Sequence, residues 1–271
     1  MLRTKVVCTL GPASSSPEVI LEMVKQGMDL ARVNMSHGSR DDHRALMAAV
    51  RAASAEVGRP VGIMVDLSGP KIRVGELEAP MQLEAGQTVV MAPEDIAVRG
   101  EISTTYSPLA EEIQAGDRVL LDDGLLELSC TGTEGERTRL EVVRGGLLKG
   151  RKGINLPLVD IRAPSLTEKD LADLDFALTE GVEYTALSFV RRAEDVVDLK
   201  GRVGNRALVV AKIEKVQALR AIEEILPETD AVMVARGDLG VELPQPSDLA
   251  VLAGHQRLPK CGDLEVEVVA R

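Results

Sequence analysis

The order of apolar and polar residues predicts alternating strands and helices over residues 1–69. Three short apolar runs predict strands, and they are Lys5–Leu10, Leu30–Asn34 and Val61–Leu67. The first helix between them follows Ser16 and Pro17, which suit an N-cap and a first helical position, and it ends at Gly27. The second helix is expected over Arg40–Val57, where apolar residues again recur at helical spacing.

This alternation stops after the third strand, and β-like runs take its place up to Pro157. The runs are Met81–Leu83, Thr88–Met91, Arg118–Leu121, Leu125–Cys130 and Arg139–Val143. Because turns separate them and no amphipathic helix of note intervenes, we expect a small all-β domain at residues 70–156. The glycine-rich basic segment 145–153 lacks the Gly-Lys-Ser/Thr ending of a phosphate loop, and we interpret it as a flexible hinge.

The alternation of helices and strands resumes after Pro157. One helix is expected from the N-cap Thr167 to Gly181, and another over Val216–Leu226. The strands of this region are Thr185–Val190, Ala207–Ile213 and Ala231–Ala235. Apolar strands separated by helices predict parallel pairing, either in a doubly wound open sheet or in a (β/α) barrel.

Polar residues at the ends of the predicted strands favour the barrel. They are Arg32 and Asn34, Asp66, Ser188, Lys212 and Glu214, and Arg236 and Asp238. Active sites of (β/α) barrels are built on this face, whereas the alternative is that the residues only form ion pairs at strand ends. We therefore expect an α/β fold, a TIM-type (β/α) barrel over 1–69 and 157–243, with the β-domain inserted after strand 3 and a tail at 244–271. The length left after the insertion is subtracted suffices for about six β/α units, so the barrel should be incomplete.

Composition narrows the classes of function. The chain has 32 Lys and Arg against 43 Asp and Glu, a net charge of −11, which disfavours binding to a phosphate backbone. Its three cysteines form no Cys-x-x-Cys pair, which is typical of a reducing compartment. No apolar run reaches the ~18 residues of a membrane span, so we expect a cytoplasmic protein without nucleic-acid or membrane partners.

The chemistry of the strand-end residues indicates a phosphorylated substrate and a divalent metal ion. Lys212 and Glu214 are two residues apart and therefore project from the same face of a strand. Glu214 and Asp238 would supply two carboxylates, which is how Mg²⁺ is commonly held together with substrate oxygens. Lys212, Arg32 and Arg73 would bring three positive charges to the same mouth, and these suit a phosphate group.

Seven segments of the chain, in order over residues 3–243, resemble the pyruvate kinase family. They are TKVVCTLGPAS from Thr4, ARVNMSHG from Ala31, DLSGPKIR from Asp66, KGINLP from Lys152, SFVR from Ser188, KIE from Lys212 and ARGDLGVE from Ala235. The resemblance implies a (β/α)₈ barrel with a β-domain inserted after strand 3 and a further C-terminal α/β domain. It also implies a glycolytic phosphotransferase that moves the phosphoryl group of phosphoenolpyruvate to ADP, giving pyruvate and ATP.

The resemblance also implies roles for individual residues. Glu214 and Asp238 would hold Mg²⁺ or Mn²⁺, and Lys212 and Arg32 would act on the phosphoryl group in transfer. The substrate would be bound by Arg32, Ser188, Lys212, Gly237 and Asp238, the last two through backbone N–H groups at the start of a short helix. The nucleotide side would be formed by Asn34, His37, Arg73 and Lys152, with the inserted domain closing as a lid.

A monovalent-cation site is the last ligand site that the resemblance implies. Its residues match Asn34, Ser36, Asp66 and Leu67. K⁺-dependent members carry Glu where this sequence has Lys71, and a lysine ammonium could occupy the charge position of the ion. We therefore expect K⁺ to be dispensable.

The resemblance fades after Pro244, so we expect a C-terminally truncated chain that lacks barrel strands 7 and 8 and the C-terminal domain. The alternating segment Leu264–Val269 predicts one replacement strand in the tail, although strands 1 and 6 would otherwise be open edges. Three hypotheses stay open: an active pyruvate kinase, an inactive relative that at most binds Mg²⁺ and phosphoenolpyruvate or nucleotide, and a non-functional fragment. The family forms homotetramers, and the oligomeric state of this chain is left open.

Overall fold

The computed structural model of the protein describes residues 4–243 and the backbone of residues 265–267. In the described residues the strands are β1 (Val7–Leu10), β2 (Leu30–Asn34), β3 (Gly62–Asp66), β4 (Met81–Leu83), β5 (Thr88–Pro93), β6 (Ile102–Thr104), β7 (Arg118–Leu121), β8 (Leu126–Glu134), β9 (Arg137–Arg144), β10 (Gly146–Leu148), β11 (Ile154–Asn155), β12 (Tyr184–Leu187), β13 (Leu208–Ile213), β14 (Ala231–Val234) and β15 (Glu265–Glu267). The α-helices are α1 (Pro17–Gln26), α2 (Arg40–Val57), α3 (Leu109–Glu112), α4 (Glu168–Thr179), α5 (Ala193–Val203), α6 (Val216–Arg220), α7 (Ile222–Ile225) and α8 (Arg236–Glu242).

The main sheet has seven parallel strands in the order β1-β2-β3-β12-β13-β14-β15. From β1 to β14, neighbouring strands of this sheet also follow one another in the chain. A helical connection joins each pair, except that the inserted domain and α4 lie between β3 and β12. This arrangement confirms the predicted fold class, a TIM-type barrel that does not close in the described residues. The register pairs Asn34 with Asp66, and Ala186 with Asp66, so the polar strand ends lie side by side.

Helices α1, α2 and α4 begin where the sequence places capping residues. The side chain of Ser16 accepts a hydrogen bond from the backbone of Val19 at the start of α1. Ser39 and Thr167 form capping boxes with acidic residues three positions later, at the starts of α2 and α4. Glycines in left-handed conformation follow α1 and α2.

The inner face of the sheet consists of an apolar layer and, above it, a polar layer. Alternate residues of a strand point to the same face, so Met64 and Asp66 share one face while Ile63 and Val65 contact the helices. Met64, Ala186 and Val210 are buried in the apolar layer. The next residues of the same alternation, towards the strand ends, are Asp66, Ser188 and Lys212. The site is therefore a continuation of the barrel interior.

The inserted segment forms two antiparallel-rich sheets of its own, ordered β10-β4 and β11-β7-β8-β9-β5-β6. Its buried cluster includes Val119, Leu128 and Leu140 and is separate from the cluster of the barrel. An all-β insertion after the third strand is thus confirmed, with the four-residue α3 as a small addition. Gly146–Leu148 pairs with β4, so the first half of the glycine-rich segment belongs to a sheet.

Three features of the fold differ from the sequence prediction or add to it. Helix α5 was not predicted, and the helix expected over Val216–Leu226 is broken at Ala221, whose ψ of 14° departs from helical geometry. The strand predicted within Leu264–Val269 is present as β15 and pairs with β14 in parallel. The predicted replacement strand therefore covers the sixth barrel strand, and β1 and β15 are the edges of the sheet in the described residues.

Over the described part of the chain, no helix is both long and apolar enough to cross a membrane.

Candidate active site

Asp66 is the centre of a buried hydrogen-bond network at the carboxyl ends of the strands. One of its oxygens accepts from Arg32 Nε at 2.8 Å, and the other accepts from Ser188 Oγ at 3.2 Å. The Lys212 ammonium lies 3.1 Å from the nearer carboxylate oxygen. Asp66 is 2% exposed, so its charge is compensated by protein groups rather than by water.

Lys212 connects this network to the next strand. Its ammonium donates to Ser188 Oγ at 2.8 Å and lies 2.8 Å from Glu214 Oε1. Burial alone would lower the pKa of Lys212, but the carboxylates of Glu214 and Asp66 outweigh burial and raise this pKa. The side chain therefore stays cationic at neutral pH, and the site holds a desolvated positive charge.

Glu214 receives hydrogen bonds from two sides. Its Oε2 accepts from the backbone N–H of Phe189 at 2.8 Å, while Oε1 faces Lys212. Burial raises the pKa of Glu214, Lys212 acts in the opposite direction, and the nearby charge of Asp238 raises it further. The repulsion between the two carboxylates is what a divalent cation would relieve, and carboxylate oxygens are the ligands that Mg²⁺ prefers. Glu214 and Asp238 therefore fit the metal ion that the sequence implies.

No group of three or more His, Cys, Asp or Glu side chains gathers into a metal site within the part of the chain that the structure describes. Asp238 lies in the first turn of α8 and is exposed, as is Gly237.

The turn after β3 is packed closely against the start of the loop after β12. Gly69 has a φ of +66°, and a Cβ at this position would lie 2.7 Å from the ring of Phe189. Its backbone N–H donates to Asp170 of α4 at 3.1 Å. Phe189 itself has a φ of +55°, a strained conformation for a residue with a side chain. The backbone N–H of this strained residue is the group that donates to Glu214.

The loop after β2 carries Asn34, Ser36 and His37. Asn34 Oδ1 accepts from the backbone of Ser36 at 2.9 Å, and Ser36 Oγ lies 3.2 Å from Ser68 Oγ. His37 is exposed, and its carbonyl oxygen lies 2.7 Å from Nε2 of the buried His43. Since a carbonyl only accepts, His43 carries its proton on Nε2 and holds this loop against α2.

Arg73 and Lys152 lie together on the two linkers between the barrel and the inserted domain. Arg73 forms a β-bridge with Gly153, and its guanidinium donates to the carbonyl of Arg151 at 2.9 Å. The Lys152 ammonium lies 2.8 Å from Asp122 of the inserted domain, and this contact raises the pKa of Lys152. In the described residues no hydrogen bond or ion pair joins this pair to His37. The predicted nucleotide residues thus lie on different elements, the loop after β2 and the two linkers.

Lys71 lies in the cleft between the two domains. It is exposed, and its ammonium has no ion-pair partner within the described ranges 4–243. It lines a pocket together with Asn155, Phe189, Lys215 and Asp238. Asp66, which the family resemblance places in a cation site with Asn34, Ser36 and Leu67, accepts hydrogen bonds from Arg32, Ser188 and Lys212. Leu67 is buried, and its backbone N–H donates to Ala186.

Several residues that support the site were not found from the sequence. Lys169 of α4 donates to the carbonyl of Met35 at 2.7 Å, and His43 holds the loop of His37. Lys215 forms a buried ion pair with Glu242. The sequence offers no periodicity or motif that joins residues so far apart, although His43 stands within an apolar stripe of α2 and could have been read as buried.

Comparisons with known proteins place the chain in a family. The family model described as pyruvate kinase, barrel domain, matches residues 1–270, and so extends into the tail that the motifs left unaligned. A pyruvate kinase of Mycobacterium intracellulare is 49% identical over 247 residues, which are 89% of this chain and 52% of the relative. A pyruvate kinase of Corynebacterium efficiens is 48% identical over the same shares. A pyruvate kinase of Sporosarcina psychrophila is 39% identical over 99% of this chain and 47% of its own length.

Fold and site together define a (β/α)-barrel protein with a buried ionic site at its strand ends and an inserted β-domain beside that site. The chain belongs to the pyruvate kinase family. It spans about half the length of the curated relatives that it matches.

Proposed function

We propose that the strand-end site transfers the phosphoryl group of phosphoenolpyruvate to ADP, giving pyruvate and ATP. The observation that carries this proposal is the buried ammonium of Lys212, fixed by Ser188, Asp66 and Glu214. Phosphoryl transfer requires little covalent chemistry from a protein and depends on positioning and on stabilising the charge that develops. A desolvated, preorganised cation does this more effectively than one in water.

The proposed roles follow from the position of each group. Lys212 is buried and acts on the phosphoryl group during transfer, while Ser188 and the partly exposed Arg32 orient that group. The short helix α8 brings the backbone of Gly237 and Asp238 towards the substrate carboxylate. Asn34, His37, Arg73 and Lys152 contact the nucleotide, and the inserted domain excludes water when it closes over them.

Glu214 and Asp238 are the residues that would hold Mg²⁺ or Mn²⁺. When bound, the ion neutralises charge on the phosphoryl oxygens. The chain's own contribution is to keep Glu214 oriented through Phe189 and Lys212, so that one carboxylate is fixed before the ion arrives.

A coupled assay that detects ATP from phosphoenolpyruvate, ADP and Mg²⁺ tests the proposal. Lys212→Met should abolish ATP formation, while Lys25→Met on the exposed face of α1 should leave it unchanged. Because Lys212 is buried, a second variant is needed whose fold is not at risk. Asp238→Asn removes an exposed carboxylate, and we expect it to raise the Mg²⁺ concentration required by about tenfold or more; Asp95→Asn is its matched control.

Calorimetry beside the coupled assay separates the alternative functions. Calorimetric, Mg²⁺-dependent binding of phosphoenolpyruvate by the wild-type chain without ATP formation would favour a binding protein. Absence of both binding and turnover would contradict the proposal. The cytoplasmic location expected from the cysteine content, and the oligomeric state, stay predictions.

We also propose that K⁺ is dispensable, because Lys71 stands in the cleft with an uncompensated charge and Asp66 is already neutralised by Arg32 and Lys212. Activity in a buffer free of Na⁺ and K⁺ should then be close to that in K⁺. Lys71→Glu should create a K⁺ requirement, and Lys25→Glu should not. Strong K⁺ stimulation of the wild-type chain would contradict this.

A further inference from the structure

A buried carboxylate outside the proposed catalytic groups connects three elements around the site. Glu242, the last residue of α8, is 1% exposed and forms an ion pair with Lys215, which follows Glu214 in the chain. It also accepts a hydrogen bond from Asn155 Nδ2 at 3.3 Å. Asn155 lies in β11, on the linker that leads from the inserted domain back to the barrel.

Stability alone does not explain this pair. Two buried charges lose their hydration, and well-packed apolar residues in their place are often neutral or stabilising. The second oxygen of Glu242, Oε2, is buried and has no hydrogen-bond partner in the described residues. Burying a carboxylate oxygen without a hydrogen-bond partner costs free energy of folding, so packing does not explain why this residue is a glutamate.

The position of Glu242 supplies that explanation. The same seven-residue helix carries Asp238 in its first turn. A displacement of its last residue, Glu242, therefore also displaces the proposed metal ligand. The inserted domain also touches this helix directly, since a Cβ on Gly124 would lie 3.1 Å from Val241. Lys215 lies over the ring of Phe189 at 5.6 Å, and Phe189 in turn holds Glu214.

We propose that Glu242 is a positioning residue that ties α8, and with it Asp238, to the linker of the inserted domain through Asn155 and Lys215. When the linker moves, the helix moves with it, and the two carboxylates Asp238 and Glu214 change their separation. Closing of the inserted domain and assembly of the metal site are then one event. The link to the metal ion rests on the proposed function.

Asn155→Ala tests the linker side of this arrangement, because it removes one partly exposed amide and leaves the buried ion pair in place. Hydrogen exchange measured by mass spectrometry should become about tenfold faster in α8, the change expected when one hydrogen bond to a charged group is lost. Mn²⁺ affinity, measured by electron paramagnetic resonance in the presence of phosphoenolpyruvate, should weaken by a similar factor. Asn205→Ala removes an exposed amide at the opposite end of the barrel and should change neither.

A double variant, K215M with E242L, separates positioning from stability. It removes both buried charges, so the urea midpoint should be unchanged or higher. Mn²⁺ affinity should nevertheless fall by about tenfold, because Asp238 is no longer held relative to the linker. A merely structural pair would show neither a weaker Mn²⁺ site nor a response to Asn155→Ala.

Two results would overturn the inference. Unchanged exchange in α8 of Asn155→Ala would remove the connection to the linker, and unchanged Mn²⁺ affinity in the double variant would remove the connection to Asp238. Failure of the proposed function has a different signature. In that case the wild-type chain would form no ATP, although its Mn²⁺ binding still depended on Asn155 and Glu242.

Discussion

Gly69 shows how closely single residues are constrained around the site. Its left-handed backbone and its contact with the ring of Phe189 leave no room for a side chain, and the backbone oxygen of Ser188 would lie 3.3 Å from an added Cβ. The same turn is fixed by the hydrogen bond from Gly69 to Asp170. A change here therefore displaces Ser188 and Phe189, which contact Lys212 and Glu214.

Gly69→Ala should lower the free energy of unfolding by about 2–4 kcal/mol, because a positive φ and a steric overlap are combined. Gly135→Ala is the matched control, since Gly135 has a φ of +59° with open space around it. It should cost only about 1 kcal/mol, the conformational part alone. Urea denaturation followed by circular dichroism measures the free energy of unfolding of both variants. Equal losses would show that the ring of Phe189 moves aside without a free-energy cost.

Residues of the polar layer were predictable from the sequence because they continue the alternation of a strand. Arg32, Asp66 and Lys212 each stand two positions beyond an inward-facing apolar residue of the same strand. Glu242 and Asp170 were not predictable, since each lies on a helix whose orientation depends on the assembled barrel. Their partners Asn155 and Gly69 are 87 and 101 residues away in the chain.

Strand β1 is an edge of the sheet that pairs only with β2, and the carboxylate of Asp29 adds a side-chain contact just before its start. Asp29, just before β2, accepts from the backbone N–H of Val6 at 2.9 Å and from Arg59 at 2.6 Å. Burial would raise the pKa of Asp29, but the hydrogen bonds from Val6 and Arg59 and the charge of Lys5 outweigh it and lower this pKa. Because the lowered pKa belongs to the folded state, the contribution of Asp29 is present above its ordinary pKa of 3.8 and is lost as the pH falls through the lowered value.

Asp29→Asn should therefore lower the free energy of unfolding by about 1–2 kcal/mol at neutral pH. The difference from the wild type should stay constant from about pH 8 to pH 5 and close below the ordinary pKa, as Asp29 itself becomes protonated. Denaturant unfolding from about pH 8 to below the ordinary pKa of 3.8 measures the difference in the free energy of unfolding. Asp95→Asn, on an exposed loop, should show no such difference, and a gap for Asp29→Asn that persisted in acid would contradict the assignment.

Elements with a capping signal were predicted within a few residues of their observed ends, as α1 and α4 show. The break at Ala221 was not predictable, because the residues around it favour a helix and neither glycine nor proline marks the interruption. The strands β6, β10 and β11 are three residues or fewer and were not predicted, although the equally short β4 was found from its apolar ends.

The linker that returns from the inserted domain is held at two points. Arg191, whose side chain is 11% exposed and lies beside Asp195, donates to the carbonyls of Ile161 and Ala163. On the other side the backbone of Arg162 donates to Glu112 of α3. The linker is thus held on its barrel side by a guanidinium that bridges two carbonyls, and on its other side by Glu112.

Arg191→Lys should loosen this linker, because an ammonium cannot reproduce two diverging hydrogen bonds. Hydrogen exchange over residues 158–165 should become about tenfold faster, the loss expected for one hydrogen bond to a charged group. Arg192→Lys is the neighbouring control. The Arg192 side chain is 57% exposed, and its contact with Asp195 is a weak one at 4.0 Å. Equal exchange in the two variants would show that Arg191 does not hold the linker.

The polar layer inside the barrel also restricts how the protein can change over evolutionary time. Arg32 and Lys212 balance Asp66 and Glu214, and three of these four side chains are less than a tenth exposed. Loss of any one leaves an uncompensated charge that costs several kcal/mol, whereas loss of all four together would be neutral or stabilising. Single substitutions therefore meet a barrier that a concerted replacement does not. A lineage that gave up this chemistry would have to cross that barrier before it reached a more stable, inert barrel.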